Sequence, residues 1–334
     1  MPVNATLATY SDWTYGAAVA IYFFAAVLYL CEAAFARPAK SPERAAALAT
    51  GGAQAGGAPA AGVQTGGVQL AGVQADGTWT PGLVAAAPRR SRAERLGRMG
   101  VALAVLGALL HAGSLVLRGF ATERAPWGNM YEYGSLLTLA AVVTWLVLSR
   151  TFDVRRLGGF VLVPIVILMF LGGTVLYADA APVQPALQSY WLVVHVSVIS
   201  VSSGVLLVPG IASVLYLLKT SGRARFTKLP DADLLDRLAY RSTVFAFPLF
   251  TIGIICGAIW AEAAWGRFWG WDPKETVAFV SWVVFAAYLH ARATAGWRGR
   301  PAAWINSVGF AMTVFNLFFI NLVTTGLHSY AGVG

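Results

Sequence analysis

Long uninterrupted apolar runs separated by short polar segments dominate this chain. Eight runs reach the roughly 20 residues that a helix needs to cross a bilayer. They are 16–36, 99–117, 132–149, 158–176, 192–218, 243–263, 274–291 and 303–325. The apolar positions follow one another rather than alternating with polar ones, which excludes the pattern of a membrane β-barrel. The pattern therefore predicts an all-α fold: a polytopic integral membrane bundle of about eight transmembrane helices. The fifth run is the longest and is expected to project from the membrane. No basic segment precedes the first run, so it reads as a retained span rather than a cleaved signal.

Residues 37–98 interrupt this pattern. They are rich in Ala, Gly and Gln and carry a short repeat, AGVQ-TGGVQ-LAGVQ. Such a composition buries no core, so the segment is expected to be a disordered linker on the cytoplasmic side. The chain divides accordingly into a first span (1–36), the linker (37–98) and a membrane domain (99–334).

Composition supports lipid as the main solvent. Only 12% of the 334 residues are charged, against about 25% in soluble domains. The net charge of +9 raises the question of nucleic acid, but its placement answers differently. With the N-terminus outside, segments 37–98, 150–156, 219–241 and 292–300 face inward and hold 20 of the 24 basic residues. Only Arg118, Arg124, Arg267 and Lys274 remain outside. That asymmetry is the positive-inside signature, and it puts both termini outside. The inward charge suits anionic headgroups of the membrane lipid, so no nucleic-acid partner is expected. Cys31 and Cys256 both lie in apolar runs, and the sequence has no CxxC pair and no CxxCH site.

The same sorting makes the outer face aromatic. Trp127, Tyr131, Tyr133, Tyr177, Tyr190, Trp191, Trp265, Phe268, Trp269 and Trp271 all fall there. An interfacial belt accounts for scattered aromatics. Residues 260–271 exceed that need, with four Trp and one Phe interleaved with Gly266 and Gly270. Small residues between flat ones suit a planar ligand. Belt and ligand platform both stand at this level. The stretch ends in Asp272-Pro-Lys-Glu275, which reads as an N-cap, a proline at the first helical position and a capping box. The free N–H groups of that helix start also suit an anion such as a propionate.

The chain has four histidines. A lone histidine in a span is ordinarily a packed, hydrogen-bonded core residue, and His111 is read so. His195, just inside the fifth run, and His328, just beyond the eighth, both face the outer compartment of the Trp cluster. Two neutral imidazoles opposed across a planar macrocycle make a bis-histidine heme site. His290 lies about 25 Å along the seventh helix from that cluster at 1.5 Å per residue. It either serves a second site near the inner leaflet or anchors the helix there by snorkelling beside Arg292.

The run WGRFWGWDPKET at 265–276 resembles the tryptophan-rich WWD signature, centred on 265–272, of heme-handling proteins in cytochrome c maturation. PWGNMYE (126–132), PALQSYWLVVHV (185–196), FPLFTIGIICGAIWAE (247–262), SWVVFAAYLHAR (281–292) and TGLHSY (325–330) extend the likeness over most of 105–330. Within that group the chain is similar to the CcsA/ResC branch (CcsB-type in actinobacterial usage) of the System II cytochrome c synthase. The resemblance implies a component of a cytochrome c heme lyase, or synthase, complex in the cytoplasmic membrane. It implies that heme b, held non-covalently in transit, is ligated by His195 and His328 outside. His290 would be one ligand of a transit site whose second ligand comes from a CcsB/ResB-type membrane subunit. Trp265, Trp269, Trp271 and Asp272 would form the heme platform. The implied reaction adds the two thiols of an apocytochrome c CxxCH across the heme vinyls. A thioredoxin-like protein would keep those thiols reduced.

The sequence holds no Ser/His/Asp or Cys/His catalytic set on the outer face, so no catalytic residue beyond the heme-positioning ones is expected. Three alternatives are less well matched. A protein handing heme to a chaperone would share the Trp-rich run, but the extra spans and PWGNMYE favour the synthase branch. An electron-transfer subunit would pair histidines within the membrane. A transporter would need broken helices or intramembrane carboxylates, and Glu32 and Glu262 lie near helix ends.

Overall fold

A computed structural model describes residues 3–35, 91–183, 187–223, 229–320, 323–324 and 326–328. It is a helical bundle with no strand among these residues, and eight of its helices are long and apolar enough to span a membrane. They are α1 (Ala5–Phe35), α2 (Arg92–Thr122), α3 (Met130–Thr151), α4 (Gly158–Thr174), α5 (Tyr190–Lys219), α6 (Ala232–Trp265), α7 (Pro273–Ala293) and α8 (Arg300–Phe315). A 3-10 turn, Arg155–Leu157, leads into α4, and α8 continues as a π-helical turn, Asn316–Ile320. The protein is thus a multi-pass membrane protein with one helix for each apolar run.

Helix ends differ from the apolar runs where polar residues have local partners. α1 begins at Ala5 rather than 16, because Ser11 and Asp12 are tied to the neighbouring helix. Ser11 Oγ donates to the Ser114 carbonyl at 2.8 Å, and Asp12 pairs with Arg118 at 3.4 Å. α2 begins at Arg92, so residues 92–98 are helix rather than linker. Ser91 caps that start, its Oγ accepting from the Glu94 N–H at 3.2 Å. The rest of the expected linker lies outside the described residues. α6 starts eleven residues before its apolar run, burying Leu235, Leu238 and Ala239 and pairing Asp236 with Arg292 at 2.6 Å.

α1 and α2 run antiparallel, with the Asn4 N–H donating to the Ala121 carbonyl. Their seam alternates steps of three and four residues. On α1 the buried positions include Ser11, Tyr15, Ala18, Tyr22, Ala25, Tyr29 and Glu32. On α2 they include Gly97, Gly100, Ala104, Gly107, His111, Ser114 and Arg118. This is heptad packing in which the tyrosines of α1 lie against small residues of α2, such as Tyr22 on Gly107 and Tyr29 on Gly100. A methyl at Gly107 would stand 2.7 Å from Tyr22 Cε1, so the close approach requires glycine there. His111 is fully buried in the seam. Its Nε2 lies 2.8 Å from Ser135 Oγ, as a packed, hydrogen-bonded core residue should.

α5 packs on α3, α6 and α8 and forms the centre of the other half. Asn306 of α8, fully buried, donates to Ser213 Oγ at 2.8 Å and to the Pro209 carbonyl at 3.3 Å. Near one end of the bundle Glu132 accepts from Arg118 Nε at 3.0 Å, Arg124 Nη1 at 2.8 Å and the Gly128 N–H at 2.8 Å. Glu132 and Arg118 are both buried. A carboxylate so enclosed is tolerated only because each lone pair has a donor. Its ties fold the 126–130 loop over the end of α3, and that loop forms one wall of the site.

Candidate functional site: an aromatic cleft with two histidines

A cleft opens at the same end, among α3, α5, α6, α7 and α8, with a wall that is mostly apolar and aromatic. His195 and His328 both line it, as do Trp265, Trp269 and Lys274.

α5 carries His195 near its start, where Ser189 caps the helix through a hydrogen bond from the Trp191 N–H at 3.2 Å. The imidazole lies on the bare backbone of α6 at Gly257. Its Nδ1 is 2.8 Å from the Gly253 carbonyl oxygen. A carbonyl only accepts, so Nδ1 carries the proton and Nε2 of the neutral ring carries the lone pair.

His328 reaches the cleft from the chain beyond α8. Its Nδ1 is 2.8 Å from Asp272 Oδ2, and the Leu327 N–H donates to Asp272 Oδ1 at 2.7 Å. Asp272 is at the same time the N-cap of α7, with the expected capping box and proline. Burial alone would raise its carboxyl, but hydrogen bonds from His328 and Leu327 outweigh that and hold it below the ordinary carboxylate range. Again Nδ1 is the protonated nitrogen, and the lone pair of the neutral ring is on Nε2. An imidazole oriented through its far nitrogen by a carboxylate or a carbonyl is the usual arrangement of metal-ligating histidines.

Trp260 links the two rings. It stands parallel to His195, 6.1 Å away at 7°, and edge-on to His328 at 6.0 Å. Trp265 completes the cluster, 4.7 Å from Trp260 and 5.2 Å from His328.

The structure therefore brings His195, His328, Trp265 and Trp269 to one cleft. It treats three other expected site residues differently. Trp271 is 67% exposed, outside the cleft wall, with its backbone in the left-handed region at φ 55°. Asp272 stands behind His328 instead of lining the cleft. His290 is exposed on α7, far from both histidines along the helix. The helix start offered to an anion is taken by the chain itself. Glu275 Oε2 accepts from the N–H groups of Gly270 and Asp272 at 2.9 and 3.1 Å. Sequence reasoning missed Gly257, and reached Trp127 and Trp260 only as members of the aromatic face. It took Asp272 for a cap, an anion site or, by resemblance, part of the heme platform, and missed its partner His328, 56 residues away.

Comparison with known proteins identifies the family. Residues 127–328, more than half of the chain, match the family "Cytochrome C assembly protein". The cytochrome c biogenesis protein CcsA of Chlamydomonas reinhardtii is 40% identical over 226 residues, covering 65% of this chain and 64% of that one. The CcsA of Synechococcus elongatus is 37% identical over 304 residues, covering 73% and 90%. The CcsA of Mesostigma viride is 34% identical, covering 75% and 90%. A solved structure of the cytochrome c heme lyase CcmF shares the fold, with a TM-score of 0.59 at 17% identity. That match covers 95% of this chain but 47% of CcmF. The family match and the CcsA relatives make the chain a membrane protein of cytochrome c biogenesis. The chain belongs to the cytochrome c assembly protein family, among proteins of CcsA type.

Proposed function

We propose that this protein carries heme b, held non-covalently, to the outer face of the cytoplasmic membrane and presents it for attachment to apocytochrome c. In this reading it is a subunit of a cytochrome c synthase and works beside a CcsB/ResB-type membrane subunit. A thioredoxin-like protein keeps the acceptor thiols reduced. The membrane domain from residue 99 onward is the working unit, and both termini lie outside.

One observation carries the proposal: two histidines at one aromatic cleft, each held through Nδ1 with the lone pair left on Nε2. Heme is the cargo that this donor set fits. Its iron takes two imidazoles, its ring lies against Trp265 and Trp269, and Lys274 offers a cation to a propionate. His290 serves an inner transit site on the way to the cleft.

Adding a thiol across a vinyl group is redox-neutral, so the protein's part in ligation is orientation. It holds the vinyl edges where the two thiols of CxxCH can reach them, converting an encounter into a positioned reaction.

The test is the visible spectrum of the purified protein, with its partner subunit, alongside cytochrome c maturation in cells. The expected result is a low-spin bis-imidazole heme spectrum. The low-spin signature and maturation should both be lost in His195→Gly and His328→Gly, which keep a five-coordinate heme, and both should be partly restored by added imidazole. Full maturation in either variant would return that histidine to a packing role.

A further inference from the structure

The two histidines are backed by different acceptors, and this asymmetry bears on which of them releases the iron. Their Nδ1 hydrogen bonds have the same length, 2.8 Å. For His328 the acceptor is the Asp272 carboxylate, an anion. For His195 it is the Gly253 carbonyl, a neutral amide. A charge-assisted hydrogen bond is about twice as strong as a neutral one. Its pull on the Nδ1 proton raises the electron density and basicity of Nε2, the atom that binds iron.

Asp272 is well placed to hold that charge. Its side chain is 5% exposed. Oδ1 accepts from the Leu327 N–H, and Oδ2 accepts from His328 and from the Lys274 N–H at 3.3 Å. The carboxylate therefore fixes the orientation of His328 and the chain that bears it in one step. Gly253, by contrast, lends His195 a carbonyl from within α6. His195 also rests on Gly257 and faces Trp260 in parallel. Its ring keeps that seat whether or not Nε2 holds a metal.

We propose that His328 is the retained axial ligand, strengthened by Asp272 as a positioning residue, and that His195 is the exchangeable one. The inference rests on the bis-histidine reading above. In the exchange the iron–Nε2 bond to His195 breaks and an iron–nitrogen bond to the incoming imidazole of the acceptor protein forms. No electron moves and no proton is gained or lost. His195 stays on its Gly253 bond, ready for the next heme.

The experiment is resonance Raman spectroscopy of the full-length, heme-loaded protein with its partner subunit. Carbon monoxide is added to the reduced form, where it takes the position of the weaker axial ligand. Wild-type protein is expected to give the carbon monoxide adduct of His195→Gly, in which His328 is the trans ligand. The iron–histidine stretch of reduced His195→Gly should lie higher than that of reduced His328→Gly. Introducing Asp272→Asn into His195→Gly should lower it, with Asp272→Glu recovering part of the difference. A wild-type adduct matching His328→Gly, or equal stretches in the two glycine variants, would overturn the assignment. Asp272 also caps α7, so the two histidine variants decide the question even where an Asp272 variant does not fold. Absence of a Soret band from every protein, wild type included, would overturn the bis-histidine reading as well.

Discussion

A methyl group on Gly257 would stand 2.6 Å from Cε1 and 2.8 Å from Nδ1 of His195. The ring must therefore leave its position over α6 and loosen the Gly253 bond. In Gly257→Ala, heme recovered per folded protein should fall by about tenfold or more, the equivalent of ~1.4 kcal/mol. The amount of protein in the membrane should hold. Absorbance at the Soret band against protein concentration measures this, and an unchanged ratio would mean that His195 tolerates displacement.

The Trp-rich run divides in the structure. Trp269 lines the cleft, whereas Trp271 is exposed. Trp269→Ala should weaken heme retention by about tenfold, since one aromatic contact contributes roughly 0.5–1.5 kcal/mol beyond its buried area. Trp271→Ala should change retention little. Trp271 has a left-handed backbone, so Trp271→Gly should be neutral or stabilising. Equal heme loss in Trp269→Ala and Trp271→Ala would place both rings against the ligand.

His290 stands alone on the exposed side of α7, about 25 Å from the cap of that helix at 1.5 Å per residue. As a transit ligand it sits upstream of the cleft, so His290→Ala should lower the heme at His195 and His328 as well as maturation. As an anchor beside Arg292 it would leave both near normal. Heme content measured with the partner subunit present separates the two, and a wild-type value would sink the transit reading.

Glu132 is the sole carboxylate within bonding distance of Arg124 among the described residues, and it is shared with Arg118. Glu132→Gln leaves two guanidinium groups without that charge in a buried setting, at a cost of about 3–5 kcal/mol. The loop 126–130 should loosen with it. Thermal denaturation in detergent should show a lowered midpoint, and protease should cut between α2 and α3. Heme should be lost in parallel, because Trp127 and Met130 belong to the cleft wall.

Sidedness follows from charge alone and is open to direct measurement. Reporter domains inserted in 264–272 or placed after Gly334 should report the outer compartment. Those inserted in 37–90 or in 219–231 should report the inner one. An inner location for 264–272 would put His195 and His328 in the wrong compartment for cytochrome c maturation.

The number and order of the helices were legible in the sequence because spanning a bilayer demands continuous apolar length, which needs no partner to be seen. Helix ends were not, where a distant residue stabilises them: α1 reaches back to Ala5 through Ser114 and Arg118, and α6 to Ala232 with Arg292. The same division holds at the cleft. His195, His328, Trp265 and Trp269 stood out by type and compartment. The role of Asp272 did not, because its capping signature was complete in itself and hid a second partner. Gly257 was silent for another reason: a glycine in an apolar run carries no sign of the ring that rests on it.

The α1 seam has a consequence for how the molecule is put together. Besides the heptad itself, α1 is held by Ser11 on the Ser114 carbonyl, Tyr15 on the Met169 carbonyl, and Glu32 paired with Arg155 at 2.6 Å. Every one of these addresses is written on residues after the long connection. The first helix is thus a guest recognised by its host surface. A gene divided between the two helices would still encode both faces of the match.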